Sequence, residues 1–445
     1  MRYLVGALAL LVPTVQAQEG LQTRGPVELS LRRAIEIATA PEGNAQVELA
    51  AEATRQAEAR SGQARAALLP NVDASISQQS LTRNIAAFGV RFTIPGTPFA
   101  PPEFVGPFNV FDIRATGTQT VFDLSAWRRL RSARTGVSAS RAAEQAAADQ
   151  VALAVARAYV GALRAQADVE TAEANVTLAA ALLKQAESLK DAGTGTGVEV
   201  TRARVQLANE QQRRLVARNE HKRTRLLLLR AMGARLDTAL TLAERLSADE
   251  EEAAVLERAA SKALLVRADL RAQRQREQAA LEASRAVALE RIPSLHLLGD
   301  YGSIGGSINS ALPTRTFGAA LRVPLFDGGR RDARRAEAAS QYRAERRRTR
   351  DIEEQIELDV ELALDALRTA REEVQVADGG VGLAEMELEQ ARRRYEAGVA
   401  TSLEVTEAQT RLSRARDNQT AALFHHAHAR LELAHASGAM RQTVR

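Results

Sequence analysis

The sequence predicts a mostly α-helical chain with a small β part, built twice from one long helical hairpin. Three observations carry this prediction. RYEAGVATSLEVTE at Arg394–Glu407 interrupts two long apolar-periodic segments and has a near copy, LKDAGTGTGVEVTR, at Leu189–Arg202. Gly193 and Gly398 correspond (398 − 193 = 205), and Val200/Val405, Leu207/Leu412 and Gly233/Gly438 keep that offset, which marks an internal duplication. Finally, Ala, Arg, Glu, Leu and Gln dominate the middle of the chain while aromatic residues make up 4%, a composition of long helices rather than ordinary globules.

The 445 residues carry 60 basic and 55 acidic side chains, a formal charge of +5. Charges of both signs are interleaved along the helices, so the balance is weak support for a nucleic-acid partner, and none is assigned. With no Cys there is no disulfide framework, thiolate site or lipid-modified Cys. Arg2, the apolar run Leu4–Val12 and the small-residue site Val15-Gln16-Ala17 read as a leader over residues 1–17, with a mature chain from near Gln18. No other stretch approaches the ~20 apolar residues of a membrane helix, leaving a periplasmic, secreted or outer-membrane β-barrel protein.

The first repeat is read over 18–232. Ser30 caps a short helix to about Thr39, broken by Pro41 and Gly43, and a second helix runs from about Asn44 to Leu68 and stops at Pro70. A strand pair follows over 71–122. Val72, Ala74 and Ile76 alternate with Asp73, Ser75 and Ser77, and Phe111, Ile113 and Ala115 alternate with Asp112, Arg114 and Thr116. A Pro-, Gly- and Phe-rich loop is expected between Asn84 and Pro107, with Phe99, Phe104 and Phe108 as girdle or loop aromatics. The long hairpin spans 125–232: Ser125–Lys190 has no Pro and would be ~98 Å long as one helix, and Val198–Met232 is the return arm. Residues 233–266 read as a linker with a small helix.

The plan then repeats over 267–438. A helix ends at Ile292-Pro293, strands fall within 294–323, and a hairpin occupies 328–438, leaving a short tail at 439–445. Ile356, Val360, Ala363, Leu367, Ala370, Val374, Ala377, Val381, Ala384, Leu388, Ala391 and Tyr395 alternate spacings of four and three, a heptad seam. Val405, Ala408, Leu412, Ala415, Gln419, Ala422, His426, Ala429 and Leu433 continue it on the return arm. Four strands cannot close a barrel alone, since small barrels need about eight, and a narrow seam cannot bury such long helices within one chain. An oligomer follows, of unspecified number.

The order helix, Leu-Pro, strand pair, Phe-Asp, long helix, glycine tip and return helix, occurring twice, resembles the TolC family of outer-membrane efflux and secretion channels. LRVPLFDGGRR (Leu321–Arg331) and RYEAGVATSLEV (Arg394–Val405) carry the resemblance most specifically. It implies a homotrimer with a trimeric α-barrel and a shared 12-stranded transmembrane β-barrel in outer-membrane lipid, joined through a periplasmic adaptor to an inner-membrane pump. It implies neither catalysis nor a cofactor. The first repeat departs from the pattern, with Leu124-Ser125 in place of the Gly pair after Phe-Asp and GTGTG at Gly193–Gly197.

Glu404 and Glu407 share a helix face and match positions where the family commonly has acidic residues around the periplasmic entrance. Thr401-x-x-Glu404 also reads as a capping box, repeated at Thr196-x-x-Glu199, so capping and pore lining both stay open for Glu404. Glu407, aligned with Arg202, has no capping role and is read as pore lining. Gly193 and Gly398 make the turns; with Val198, Val200, Leu403 and Val405 they form tips read both as helix caps with an internal hydrophobic contact and, as the resemblance implies, as the surface expected to dock the adaptor. The cluster His425, His426, His428 and His435 reads as solvated or seam-packed, and no metal is assigned. The basic run Arg343–Arg350 reads as a solvated helix face, and Gly302–Gly306 as a strand-end loop rather than a phosphate cradle. The alternative to a channel is an exported coiled-coil scaffold or adaptor.

Overall fold

The structure is a computed structural model and describes residues 27–85, 87, 89, 104–248 and 262–440. The leader, Phe99, residues 249–261 of the linker and residues 441–445 of the tail lie outside the described residues.

The chain enters through β1 (Val27–Leu29), α1 (Leu31–Thr39) and α2 (Ala45–Ala66). Ser30 is the cap the sequence names, and Asn44, expected as the start of the second helix, caps α2. Ser30 Oγ accepts from Arg33 N–H and Asn44 Oδ1 from Gln46 N–H, each satisfying a first-turn donor. A hairpin follows, β2 (Asn71–Asn84) and β3 (Phe104–Phe122), then α3 (Leu124–Asp191) and α4 (Gly197–Ala231). After β4 (Leu240–Leu242) and α5 (Ala263–Val266), the second half runs through α6 (Ala268–Ala288), β5 (Ser294–Gly305), β6 (Leu312–Arg322), α7 (Arg330–Glu396) and α8 (Ser402–Ala436). The duplication is kept to the residue: Asp191 and Glu396, Gly197 and Ser402, and Ala231 and Ala436 bound equivalent helices at the same offset (396 − 191 = 205).

The four long strands form one antiparallel sheet in the order β2-β3-β5-β6, with β2 and β6 as edges. In its register Val72 lies opposite Gly117, Gly117 opposite Gly299 and Gly299 opposite Phe317, while Ile76 faces Ile113. One face therefore presents Val72, Ile76, Ile113 and Phe317, all exposed in the single chain. The other face holds Arg114 against Asp112 and Asp300, both at 3.1 Å. An apolar outer face and a charged inner face are the alternation of a membrane barrel wall. Gly302 lies within β5 rather than in a strand-end loop. A Cβ there would stand 2.3 Å from Ile113 O, so only glycine lets the two strands approach this closely. β3 begins at Phe104, earlier than the expected end of the loop at Pro107, because Phe104 pairs with Asn84 in the extended ladder.

The helices pack in two levels. Near the sheet, the first half of α3 lies on α2 and α6, and α6 lies on α7. Arg128 Nη1 donates to Glu282 Oε2 at 2.7 Å, Arg285 reaches the other oxygen at 3.1 Å, and Ser132 Oγ donates to Ala279 O at 2.8 Å. Burial alone would raise the Glu282 carboxyl; the Arg128 hydrogen bond and the surrounding guanidinium charges outweigh it and hold the group below its ordinary value. Farther out, α3 pairs with α4, α7 pairs with α8, and α3 bridges to α8. Ile356, Ala363, Leu367, Ala370, Val374, Ala384, Leu388 and Ala391 of the seam are buried, as are Val405, Ala408, Leu412, Ala422, His426, Ala429 and Leu433 of the return arm. At 68 residues, α3 is about 100 Å long.

A short parallel strand pair ties the N-terminal end of the first half to the linker. β1 pairs in parallel with β4, with Leu29 opposite Leu242, and buried Tyr159 donates its hydroxyl hydrogen to Leu29 O at 2.9 Å. This pairing was not expected from the sequence, which gave 233–266 as a linker. The second helical launch is also later than expected at 328. Gly328 and Gly329 take φ of +67° and +84° and α7 starts at Arg330, whereas Asp123 caps α3 directly, accepting from Ala126 N–H at 3.0 Å.

Candidate functional site: the paired hairpin tips

Both tips close by the same backbone device. Ala192 N–H donates to Ser188 O and Gly193 N–H to Lys190 O, and Thr194 N–H returns to Leu189 O. In the second tip Ala397 donates to Arg393 O, Gly398 to Tyr395 O and Val399 to Arg394 O. Gly193 and Gly398 stand at φ +74° and +71°, the left-handed geometry that ends a helix this way.

Beyond the glycine the tips differ. In the first, Thr196 N–H donates to Glu199 Oε2 at 2.9 Å and Thr196 Oγ1 accepts from Glu199 N–H at 3.4 Å, a complete capping box. The Thr196 N–H is the main cause that holds the Glu199 carboxyl below its ordinary value, burial opposes it, and the Ser402 hydroxyl of the second tip assists. The expected box at Thr401 does not form. Thr401 makes no side-chain cap, Glu404 N–H donating to its backbone carbonyl at 3.1 Å, and the Glu404 Oε1 that would return to the cap turns instead to Arg394 Nε at 3.0 Å. Glu407 Oε2 lies 3.8 Å from Arg411 Nη1, and Arg411 Nη2 also reaches Glu387 Oε1 at 2.7 Å. The acidic pair thus stands at the surface of the second tip, each member beside an arginine.

The tip core explains its shape. Val405, Ala408 and Leu412 pack on Ala384, Leu388 and Ala391, with Leu178 and Leu182 of α3 against them. Val200 and Val405 are 5% and 2% exposed, so both face inward and hold the hairpins; the expectation that they belong to a docking surface is corrected. Val198 and Leu403 are exposed, at 60% and 47%. Val399, 68% exposed at the apex of the second turn, joins them and was missed. Its signal was an aliphatic residue directly after a turn glycine, where polar residues are usual.

The histidines lie far from the tips. His425 Nδ1 is 3.1 Å from Glu373 and His428 Nε2 is 3.5 Å from Glu432, while His426 is fully buried in the seam. The guanidinium-bearing residues of the Arg343–Arg350 run are exposed.

Residues 37–234 and 259–439, covering both halves, match the outer membrane efflux protein family. The chain belongs to the outer membrane efflux protein family. Within it, the chain is 27% identical over 307 residues to the pyoverdine export outer membrane protein OpmQ of Pseudomonas putida. That alignment takes in 67% of this chain and 64% of the relative, under two thirds of its length. The fold of this outer membrane efflux protein is that of solved channels. The CmeC outer membrane channel of Campylobacter jejuni matches with a TM-score of 0.75 at 18% identity, covering 92% of this chain and 85% of that one. The outer membrane protein VceC of Vibrio cholerae gives 0.74 at 19%, covering 92% and 96%. The MtrE channel of Neisseria gonorrhoeae, in its open state, gives 0.72 at 18%, covering 92% and 88%.

Proposed function

We propose that this outer membrane efflux protein is the outer-membrane channel of a tripartite efflux or type I secretion system. It receives substrates from an inner-membrane pump through a periplasmic adaptor and conducts them to the exterior without chemistry. The observation that carries the reading is the four-stranded sheet with two unpaired edges, apolar on one face and charged on the other, continuous with helices about 100 Å long. Three copies would join β6 of one to β2 of the next in a 12-stranded barrel (3 × 4), removing every edge. The scaffold or adaptor alternative loses support because the family match spans both repeats.

In this reading the second tip is the moving part. The capping box holds the first tip through local hydrogen bonds, whereas the second relies on exposed ion pairs of Glu404 and Glu407, which are weak in water. Val198, Leu403 and Val399 offer the adaptor apolar contacts, and Glu404 and Glu407 from three copies ring the entrance and favour cations. The proposal is tested by the mass of the detergent-purified protein together with export in a strain lacking its own channel. A trimer that restores export supports it; a monomer that restores nothing refutes it.

A further inference from the structure

The apolar face of the sheet does not stop where its strands stop. Phe317 and Leu321 stand on that face of β6, and Val323 and Leu325 carry the alternation past its last residue. Leu325 and the adjoining Phe326 are both 90% exposed. At the same level α3 opens with Leu124 and Trp127, the latter 61% exposed and the only tryptophan in the chain. Large apolar side chains left bare together mark a contact that the single chain does not supply.

Directly beyond them lies a collar of arginines. Residues 124–135 of α3 hold four arginines and no acid, and residues 330–335 of α7 hold four arginines and one acid. Positive charge in the first turns of a helix opposes its macrodipole, so these side chains do not serve the helices themselves. Arg128, Arg129, Arg331 and Arg334 pair with Glu282, Glu290, Asp327 and again Glu290. Arg134 and Arg335 are exposed and make no ion pair among the described residues, while Arg131 is 65% exposed with Glu282 at 3.6 Å. On α3, Arg128 and Ser132 turn to α6 and Arg141 turns to Glu58 of α2. Leu124, Trp127, Arg131 and Arg134, spaced three, four and three, therefore share one open face. Going away from the sheet, that face changes from apolar to cationic within about 15 Å.

We propose that this collar docks on the periplasmic leaflet of the outer membrane. Leu325, Phe326 and Trp127 enter the boundary between acyl chains and head groups, and Arg131, Arg134 and Arg335 bind the phosphates of anionic phospholipids. The proposal rests on the sheet being the wall of an outer-membrane barrel. Two features select this occupant. The apolar part is continuous with the outer face of the sheet, at the level where a barrel carries its aromatic girdle. The cationic part follows on the side from which the long helices project, where arginines reach head groups at the rim of a bilayer. Each arginine near an anionic surface strengthens attraction about five-fold.

The test uses Trp127 as its own reporter. Full-length protein is reconstituted into phosphatidylcholine vesicles containing a fixed minor fraction of acyl-brominated phosphatidylglycerol or, in parallel, of acyl-brominated phosphatidylcholine, and tryptophan quenching is read. Stronger quenching by the anionic lipid is expected. Arg134→Gln, which breaks no ion pair, should lower that preference about three-fold or more. Adding Arg131→Gln should lower it further, Glu282 keeping Arg128 and Arg285. Lys184→Gln with Lys190→Gln, two cations at the far end of the same helix, should leave it unchanged. Equal quenching by the two brominated lipids, quenching by neither, or a preference that survives the arginine variants overturns the proposal. The barrel reading is judged separately, by the mass and export tests above.

Discussion

Thr196→Ala and Thr401→Ala remove the same atoms from equivalent positions, yet the structure gives them unequal consequences. Thr196 Oγ1 accepts from Glu199 N–H, and Glu199 in turn accepts from Thr196 N–H at 2.9 Å. Loss of such an N-cap costs about 1 kcal/mol, a roughly five-fold rise in the local opening constant. Thr401 caps nothing through its side chain, so its loss should leave opening within about a factor of two. Amide hydrogen exchange, resolved to peptides over 193–202 and 398–407, reads those constants directly. The box also has a pH signature. Glu199 is depressed below its ordinary 4.5, so its stabilisation is fully present above that value and is lost as pH falls through the lower folded value. Equal acceleration at both tips, or a larger effect at Thr401, would refute the asymmetry and with it the assignment of the second tip as the moving one.

Other perturbations probe other levels. Leu367→Ala empties a fully buried seam position and should destabilise by about 2–5 kcal/mol, seen as a lowered thermal transition. Tyr159→Phe deletes the hydroxyl bonded to Leu29 O and should cost about 1–2 kcal/mol by denaturant titration, loosening the β1–β4 pair. Glu404→Gln with Glu407→Gln should lower cation preference, measured as a smaller reversal potential across a salt gradient; an unchanged potential would remove these residues from the conducting path.

Most of the fold was legible because it rests on period. The four-three spacing of the seam appears as the buried stripe of α7 and α8, and the repeated glycine tips as two identical turns. What escaped depends on contacts distant in sequence. The pairing of β1 with β4 involves two three-residue strands with too few positions to show alternation. The return bond of the box at Thr401 is lost to Arg394, on the preceding helix, which takes the Glu404 carboxylate, and a local motif cannot register that. Val200 and Val405 looked like docking residues because tip sequence says nothing of which face α3 covers. Glu210 and Glu282 escaped for a related reason: carboxylates in polar helical segments read as solvated, and only the packed neighbours bury them.

The central claim, a pore made from several copies of this chain, is tested most directly by single-channel recording of the detergent-purified protein in a planar lipid bilayer. Discrete conductance steps with a cation preference are the predicted result. A stable, folded protein that inserts into the bilayer and passes no current would contradict it.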